Sequence, residues 1–243
     1  MWQIACDANQ LVRDLIEEFS IDCDLTNGHL AVAHKPSHVK HMWDHCEHLT
    51  TFYDCDGYRP VTAEEVHGMM GVETYHGGYV DYLAGHIHPL NLALGLGKAA
   101  TELGVQIFED SRANEYRTQG EKVYVKTESG AVDARFLIIG CNGYLQRLNK
   151  EAEKYQMPIN NFLLATEPLG EERARQINRD NLAIVDTRFV VNYWHNSPDH
   201  RLIFGGGENY SSRFPRDIKQ FVRKYMIEVY PNLKDVKIEY GWG

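Results

Sequence analysis

Long apolar runs are missing from this chain of 243 residues. None approaches the ~18 consecutive apolar residues of a membrane-spanning helix, which excludes a helical transmembrane protein. The opening MWQIACDANQ has neither a basic n-region nor an apolar h-region, so no secretory signal is read there. A basic surplus is also lacking. Asp and Glu number 34 against 25 Lys and Arg, for a formal net charge of −9. That sign disfavours a binder of phosphate backbones, and neither nucleic acid nor membrane is an expected partner. Cysteine is sparse: Cys6, Cys23, Cys46, Cys55 and Cys141 are odd in number, widely spaced and form no CxxC. Reduced thiols in a cytoplasmic setting follow, rather than a disulfide framework. Finally, there is no GxxxxGK[ST], no GxSxG and no Cys-His signature, so nothing marks a P-loop or a serine or cysteine nucleophile.

What is present is ordinary globular material: 43% hydrophobic and 24% charged residues, in a chain long enough to bury a core without disulfides or metals. Residues 2–19 carry Ile4, Leu11, Leu15, Ile16 and Phe19 at helical spacing. Asn27-Gly28 inside DCDLTNGHLAVAH predicts a hairpin, with one strand to Leu25 and another from His29 to Ala33. Pro36 suits the first turn of a helix to about Leu49, and Thr62 with Glu65 forms a capping-box pattern for a helix to Met70. Tyr75–Leu83 reads as strand. Pro89 opens a further helix that Gly104 closes. VQIFED, ANEYRT, KVYVKTE and DARFLIIG then read as a dense β region, in which the unbroken apolar run Phe136–Ile139 should be buried on both faces. Strands are expected at Phe162–Glu167, Phe189–Trp194, Arg201–Phe204 and Val236–Tyr240, and a helix from Asp217 to Tyr230. Helices, then meandering strands, then helices make the fold class α+β: a large mixed or antiparallel sheet with flanking helices.

Four local patterns bear on chemistry. Gly95-Leu96-Gly97-Lys98-Ala99-Ala100 matches GxGxxA, but a dinucleotide loop follows a strand and opens a helix. These glycines lie inside the helix that Pro89 opens, where small residues admit a close neighbour. His38, His41, His45 and His48 fall within about 80° of arc on one helix. Imidazoles invite a zinc or nickel site. Yet His38 and His48 are ~15 Å apart along the axis, and the histidines run beside the core stripe of Val39, Met42, Cys46 and Leu49. A metal-binding protein built on this helix therefore stands as an alternative. In Gly85-His86-Ile87-His88-Pro89 a histidine either faces a pocket or satisfies local backbone at a strand–helix junction. Phe189-Val-Val-Asn-Tyr193-Trp194 alternates, so Tyr193 and Trp194 face opposite ways: one toward a ligand, the other toward the core.

The stretch from Gly77 to Tyr144, GGYVDYLAGHIHPLNLALGLGKAATELG through FLIIGCNGY, resembles the FAD-dependent amine and amino-acid oxidoreductases of the D-amino-acid oxidase superfamily. GHIHPLNLA is especially similar to the gamma-glutamylputrescine oxidase group, and YWHNSPDHRLIFGGG with YPNLKDVKIEYGW continues the likeness. Members begin with a strand–GxGxxG–helix unit and end with a glycine-rich segment. This sequence has neither, so a piece truncated at both ends is expected. The resemblance implies residues 1–84 as the helical and hairpin part of a substrate domain, 85–145 as the middle of an FAD-binding domain, and 146–243 as substrate-domain sheet and helix. It implies cofactor contacts at Ser111, Arg112 and Ala113 and at Gly140, Cys141, Asn142 and Gly143, and substrate contacts at Tyr193, Trp194 and His86; no metal is implied. It further implies hydride transfer from the carbon beside an amine nitrogen to FAD, with a small-molecule amine as partner. The alternative is a small-molecule-binding module without flavin. Apolar surface left open by truncation would favour self-association.

Overall fold

The computed structural model describes residues 1–210 and 213–243. Two compact units separate: Met1–Leu96 with Asn160–Gly243, and Gly97–Ile159. In chain order the first contains α1 (Trp2–Glu18), β1 (Thr26–Val32), α2 (Pro36–Tyr53), β2 (Tyr58–Thr62), α3 (Ala63–Met70) and β3 (Gly77–His86). Helix α4 (Pro89–Glu102) runs across the boundary. The smaller unit holds β4 (Glu115–Gln119), β5 (Lys122–Lys126), β6 (Ala131–Ala134) and the single turn α5 (Lys150–Glu153). The larger unit resumes with β7 (Asn160–Thr166), α6 (Glu171–Ile177), β8 (Ala183–Asp186), β9 (Tyr193–Asn196), β10 (Leu202–Asn209), α7 (Ile218–Val229) and β11 (Ile238–Trp242).

Eight strands of the larger unit form one sheet in the order β11-β7-β10-β9-β8-β1-β3-β2. Every pairing is antiparallel except β1 with β8. The expected α+β class with a large mixed sheet is what forms. One face carries Leu30, Val80, Ile184, Trp194, Phe204 and Leu164, buried under apolar residues of α3, α6 and α7. Trp194 anchors this layer. It is 2% exposed, stacks on Phe204 at 5.3 Å, and donates Nε1–H to the Tyr230 hydroxyl at 3.1 Å. The opposite face is covered only in part: α2 sets Val39 and Met42 on Ala31, Tyr79 and Val185. Beyond Val185, Tyr193, His195, Ile203 and Leu163 are half-buried. The smaller unit is the three-stranded meander β4-β5-β6 with short helical turns after it.

Local signals worked where they are self-contained. Thr62 accepts from the Glu65 amide and the Glu65 carboxylate accepts from the Thr62 amide, the full capping box. Pro36 and Pro89 each open a helix, and Gly104 follows α4 with φ +91°. Four expectations are corrected. Asn27-Gly28 makes no hairpin: it is a bulge within β1, where Gly28 has φ +102° and an added Cβ would lie 2.4 Å from Leu182. Left-handed glycine serves a bulge as well as a turn. Residues 105–110 are not strand. Phe136–Ile139 is neither strand nor buried, with Phe136 81% and Ile138 92% exposed, because no described strand pairs with it. β9 begins only at Tyr193, since the Asp186 carboxylate accepts the amides of Arg188 and Asn192 and turns the chain, leaving Phe189 94% exposed.

The β1–β3 ladder is tight at Gly78, where a Cβ would sit 1.9 Å from the Ala31 carbonyl oxygen. Gly78→Ala is expected to destabilise the chain by about 1–3 kcal/mol, because backbone must move to admit the methyl. The chemical-denaturation midpoint tests this; an unchanged midpoint contradicts the ladder.

Candidate functional site

The incompletely covered sheet face gathers the polar and aromatic groups. Two rows cross it, set by register. One runs Tyr79–Ala31–Val185–Tyr193–Gly205–Leu163 and the other carries Tyr58, Asp81, His29 and Ala183. Tyr193 lies flat against Gly205, whose Cβ would strike its ring at 2.1 Å, so glycine is what lets the ring rest there. Burial pushes the Tyr193 phenol up. His195, two residues on and on the same face, packs against His86 with ring centroids 4.3 Å apart and planes tilted by 32°. Burial first, and then the His86 and His88 imidazoles, push His195 down to about 4. Burial also lowers His86, whose Nε2 is hydrogen-bonded to the Asn181 carbonyl at 2.9 Å. The pair is therefore neutral near pH 7.

Asp186 closes the end of β8. It accepts from the Tyr75 hydroxyl at 3.0 Å and pairs with the Arg188 guanidinium. The same residue fixes the loop that leads into Tyr193. Next to this loop Asn192 is wholly buried against Gly206, with neither side-chain amide atom hydrogen-bonded among the described residues.

The structure therefore places the expected substrate residues as follows. His86 packs against His195, and Tyr193 lies on the same sheet face two residues before His195. Trp194 points the other way and is a core residue, as alternation requires of one member of the pair. His86 both joins the cluster and satisfies a backbone carbonyl, while His88 Nδ1 accepts the Asn91 amide at the start of α4. In the smaller unit Ser111 bonds the Glu109 carbonyl, Arg112 donates to Gln146, and Ala113 is half-buried. Cys141 is half-buried ahead of a 3-10 turn at Asn142–Tyr144, and Gly140 and Gly143 have open space around them. Arg112 thus draws the 111–113 segment toward the turn that follows 140–143. Sequence reading missed His195, His29, Asp81 and Tyr58. The signal for His195 was present, since it alternates with Tyr193; the other three meet only through long-range pairing.

The histidines of α2 do not converge. His38 bonds Thr187, His45 packs edge-on against Tyr58, and His48 packs on Phe52. Among the described residues no group of three or more His, Cys, Asp or Glu could hold a metal ion. Gly95 lies inside α4, where its missing Cβ admits Ile21. The GxGxxA match is a packing feature.

The whole chain, residues 1–243, matches the family described as FAD dependent oxidoreductase (DAO). A probable oxidoreductase OrdL of Rhizobium meliloti (strain 1021) is 35% identical over all of this chain and 56% of the relative. The gamma-glutamylputrescine oxidoreductase of Escherichia coli (strain K12) is 30% identical over 97% of this chain and 55% of its own length. The fold is that of glycine oxidase from Geobacillus kaustophilus, with a TM-score of 0.78 at 15% identity over 96% of this chain and 62% of that one. The chain spans about half the length of the curated relatives it matches.

In the unfolded chain an imidazole titrates near 6.5, while folded His195 sits at about 4. As pH falls through this window the unfolded state takes up the proton first, so stability drops. Melting temperature is expected to fall between pH ~7 and ~4.5, and to fall less in His195→Phe, which keeps a ring against His86. Equal pH dependence in both chains would contradict the buried neutral pair.

Proposed function

Since the chain belongs to the DAO family of FAD-dependent oxidoreductases, we propose that it is part of an enzyme that oxidises a C–N bond of an amine or amino acid. The favoured substrate is an acylated polyamine of the gamma-glutamylputrescine type. The observation that carries this reading is the relationship over 97% of the chain to an oxidoreductase named for that substrate. The flavin, when bound, supplies the hydride acceptor.

The chain's own residues fit that role in part. The half-buried strip of Val185, Tyr193 and Leu163 is flat, aromatic and apolar, which suits one face of a planar ring system. A methyl added at Gly140 or Gly143 would meet no neighbour within 4 Å, and backbone so open suits close approach of a ligand. We assign Ser111–Ala113 and Gly140–Gly143 to cofactor contact, and Tyr193 and His86 to the substrate side. Tyr193 and the neutral His86–His195 pair present a wall with no full positive charge. Such a wall disfavours an ammonium ion and favours the neutral amine that hydride loss requires. No GxGxxG stands between a strand and a helix in these residues, so the pyrophosphate cradle is not among them.

A reducing, cytoplasmic setting and a place in polyamine breakdown belong to the same proposal. The first is supported by five free cysteines, three of them buried; burial drives the Cys46 thiol up to about 11. Self-association is supported by exposed Phe136, Ile138 and Phe189.

Gamma-glutamylputrescine added anaerobically to the FAD-loaded protein is expected to bleach the visible flavin band, with putrescine slower. Tyr193→Ala is expected to slow bleaching at least about tenfold, a loss of ~1.4 kcal/mol in the transition state. A bound flavin that no amine bleaches rejects the reading.

A further inference from the structure

Helix α1 turns its polar side to the sheet. Trp2, Cys6, Asn9 and Arg13 follow helical spacing along one face, while apolar Ile4 and Leu11 lie opposite and exposed. Between this face and the ends of β1, β2 and β3 is a cleft of about 510 Å³.

Among the described residues, two charges in that cleft have no ion-pair partner. Arg13 donates to Asn9 Oδ1 at 2.9 Å, Asn27 Oδ1 at 2.6 Å and the Leu83 carbonyl at 2.8 Å, all neutral acceptors. A guanidinium has five N–H groups, so two remain. Asp81 is 8% exposed, and its Oδ1 accepts the amides of Leu83 at 2.8 Å and Ala84 at 3.2 Å. The Tyr58 hydroxyl hydrogen-bonds it, Tyr79 and Cys46 lie close by, and across the ladder stands His29, which burial pushes toward the neutral form. Among the described residues no Lys or Arg pairs with Asp81 and no carboxylate pairs with Arg13. The two do not pair with each other either, although both line the cleft. A buried carboxylate without a cation is costly, and a ligand carrying both charges would satisfy both residues at once. Trp2, Tyr58 and Tyr82 line the same space, and aromatic rings suit an ammonium group.

We propose that this cleft binds the zwitterionic head of an α-amino acid, its carboxylate on Arg13 and its ammonium group on Asp81 among the tyrosines. The head has two sources: a free amino acid, or the aminoacyl end of a longer amine substrate. The second source rests on the redox reading above, since Tyr193 lies three strand spacings across and two residues along from Asp81, roughly 16 Å in the sheet.

Isothermal titration of the chain with L-glutamate, putrescine and succinate tests the site. Glutamate is expected to bind saturably, while putrescine, lacking a carboxylate, and succinate, lacking an ammonium group, bind at least about tenfold more weakly. Asp81→Asn and Arg13→Gln are each expected to weaken glutamate by about tenfold or more. Melting curves establish that these variants fold. Cys6→Trp, at an exposed helix position that fills the cleft and leaves both charges in place, gives the same loss by a second route. Absent glutamate binding, putrescine binding as tightly, or glutamate binding unmoved by Cys6→Trp and Asp81→Asn overturns the proposal. Gamma-glutamylputrescine separates the sources: tighter binding than glutamate, with the increment lost in Tyr193→Ala, supports the tethered head, and equal binding supports the free amino acid. The heats do not depend on flavin. A colourless chain that binds glutamate therefore retains this site, and a flavin-loaded chain that ignores glutamate loses it.

Discussion

β1 sits between strands from opposite ends of the sequence, antiparallel to β3 and parallel to β8, and the rest of the larger unit hangs on that double pairing. Remove it and the eight-stranded sheet falls into β3-β2 on one side and β8 through β11 on the other. A parallel neighbour cannot be reached by a tight turn; it needs a long crossover, and here some 150 residues lie between His29 and Ala183, which pair. The cost of closing so long a loop rises only slowly with length, so burial of Leu30, Val32 and Ile184 in the shared core can sustain it. The junction is then fastened at one end. The Thr187 amide donates to the Val32 carbonyl at 3.1 Å, and Thr187 Oγ1 meets the imidazoles of His34 and His38.

Asp186 connects this framework to chemistry. It stands at the last paired position of β8, opposite Val32, and its buried carboxylate is neutralised by Arg188 and held by Tyr75. A buried carboxylate survives only with such partners. The backbone amides it also accepts force the 187–192 segment to double back, which decides that Tyr193, rather than Trp194, emerges on the incompletely covered face. The orientation of a proposed substrate residue is thus fixed by a charge pair several residues upstream, itself positioned by the central parallel pairing.

This chain of dependence explains what could be read from sequence. Capping boxes, proline-opened helices and the apolar stripe of α2 were legible, because the residues that decide them lie within a few positions of one another. So was the alternation that splits Tyr193 from Trp194. Asn27-Gly28 misled because a left-handed glycine is equally at home in a turn and in a bulge, and only the distant Leu182 and β3 distinguish them. Phe136–Ile139 misled for a related reason: continuous apolar character signals burial only when flanking strands exist, and none is described beside it. The Asp81–Arg13 cleft had no sequence signal at all. Its two charges lie far apart in the chain, and nothing local marks either as unpaired.

No catalytic dyad stands out among the described residues. When a cofactor supplies the reactive centre, the protein's task is to set charge and solvent around the reacting carbon, and such residues carry no motif. In the proposed function that task falls, on this face, to groups kept neutral by burial: the Tyr193 phenol and the packed imidazoles of His86 and His195. The two charges without an ion-pair partner in the cleft, Asp81 on β3 and Arg13 on α1, stand apart from these groups. A substrate with one end to be oxidised and a zwitterion at the other meets opposite electrostatic demands at its two ends, since a neutral amine must be presented at the first and an ion recognised at the second. If both proposals hold, a separation of three strands lets each environment keep its own dielectric character, which a single pocket holding both could not do.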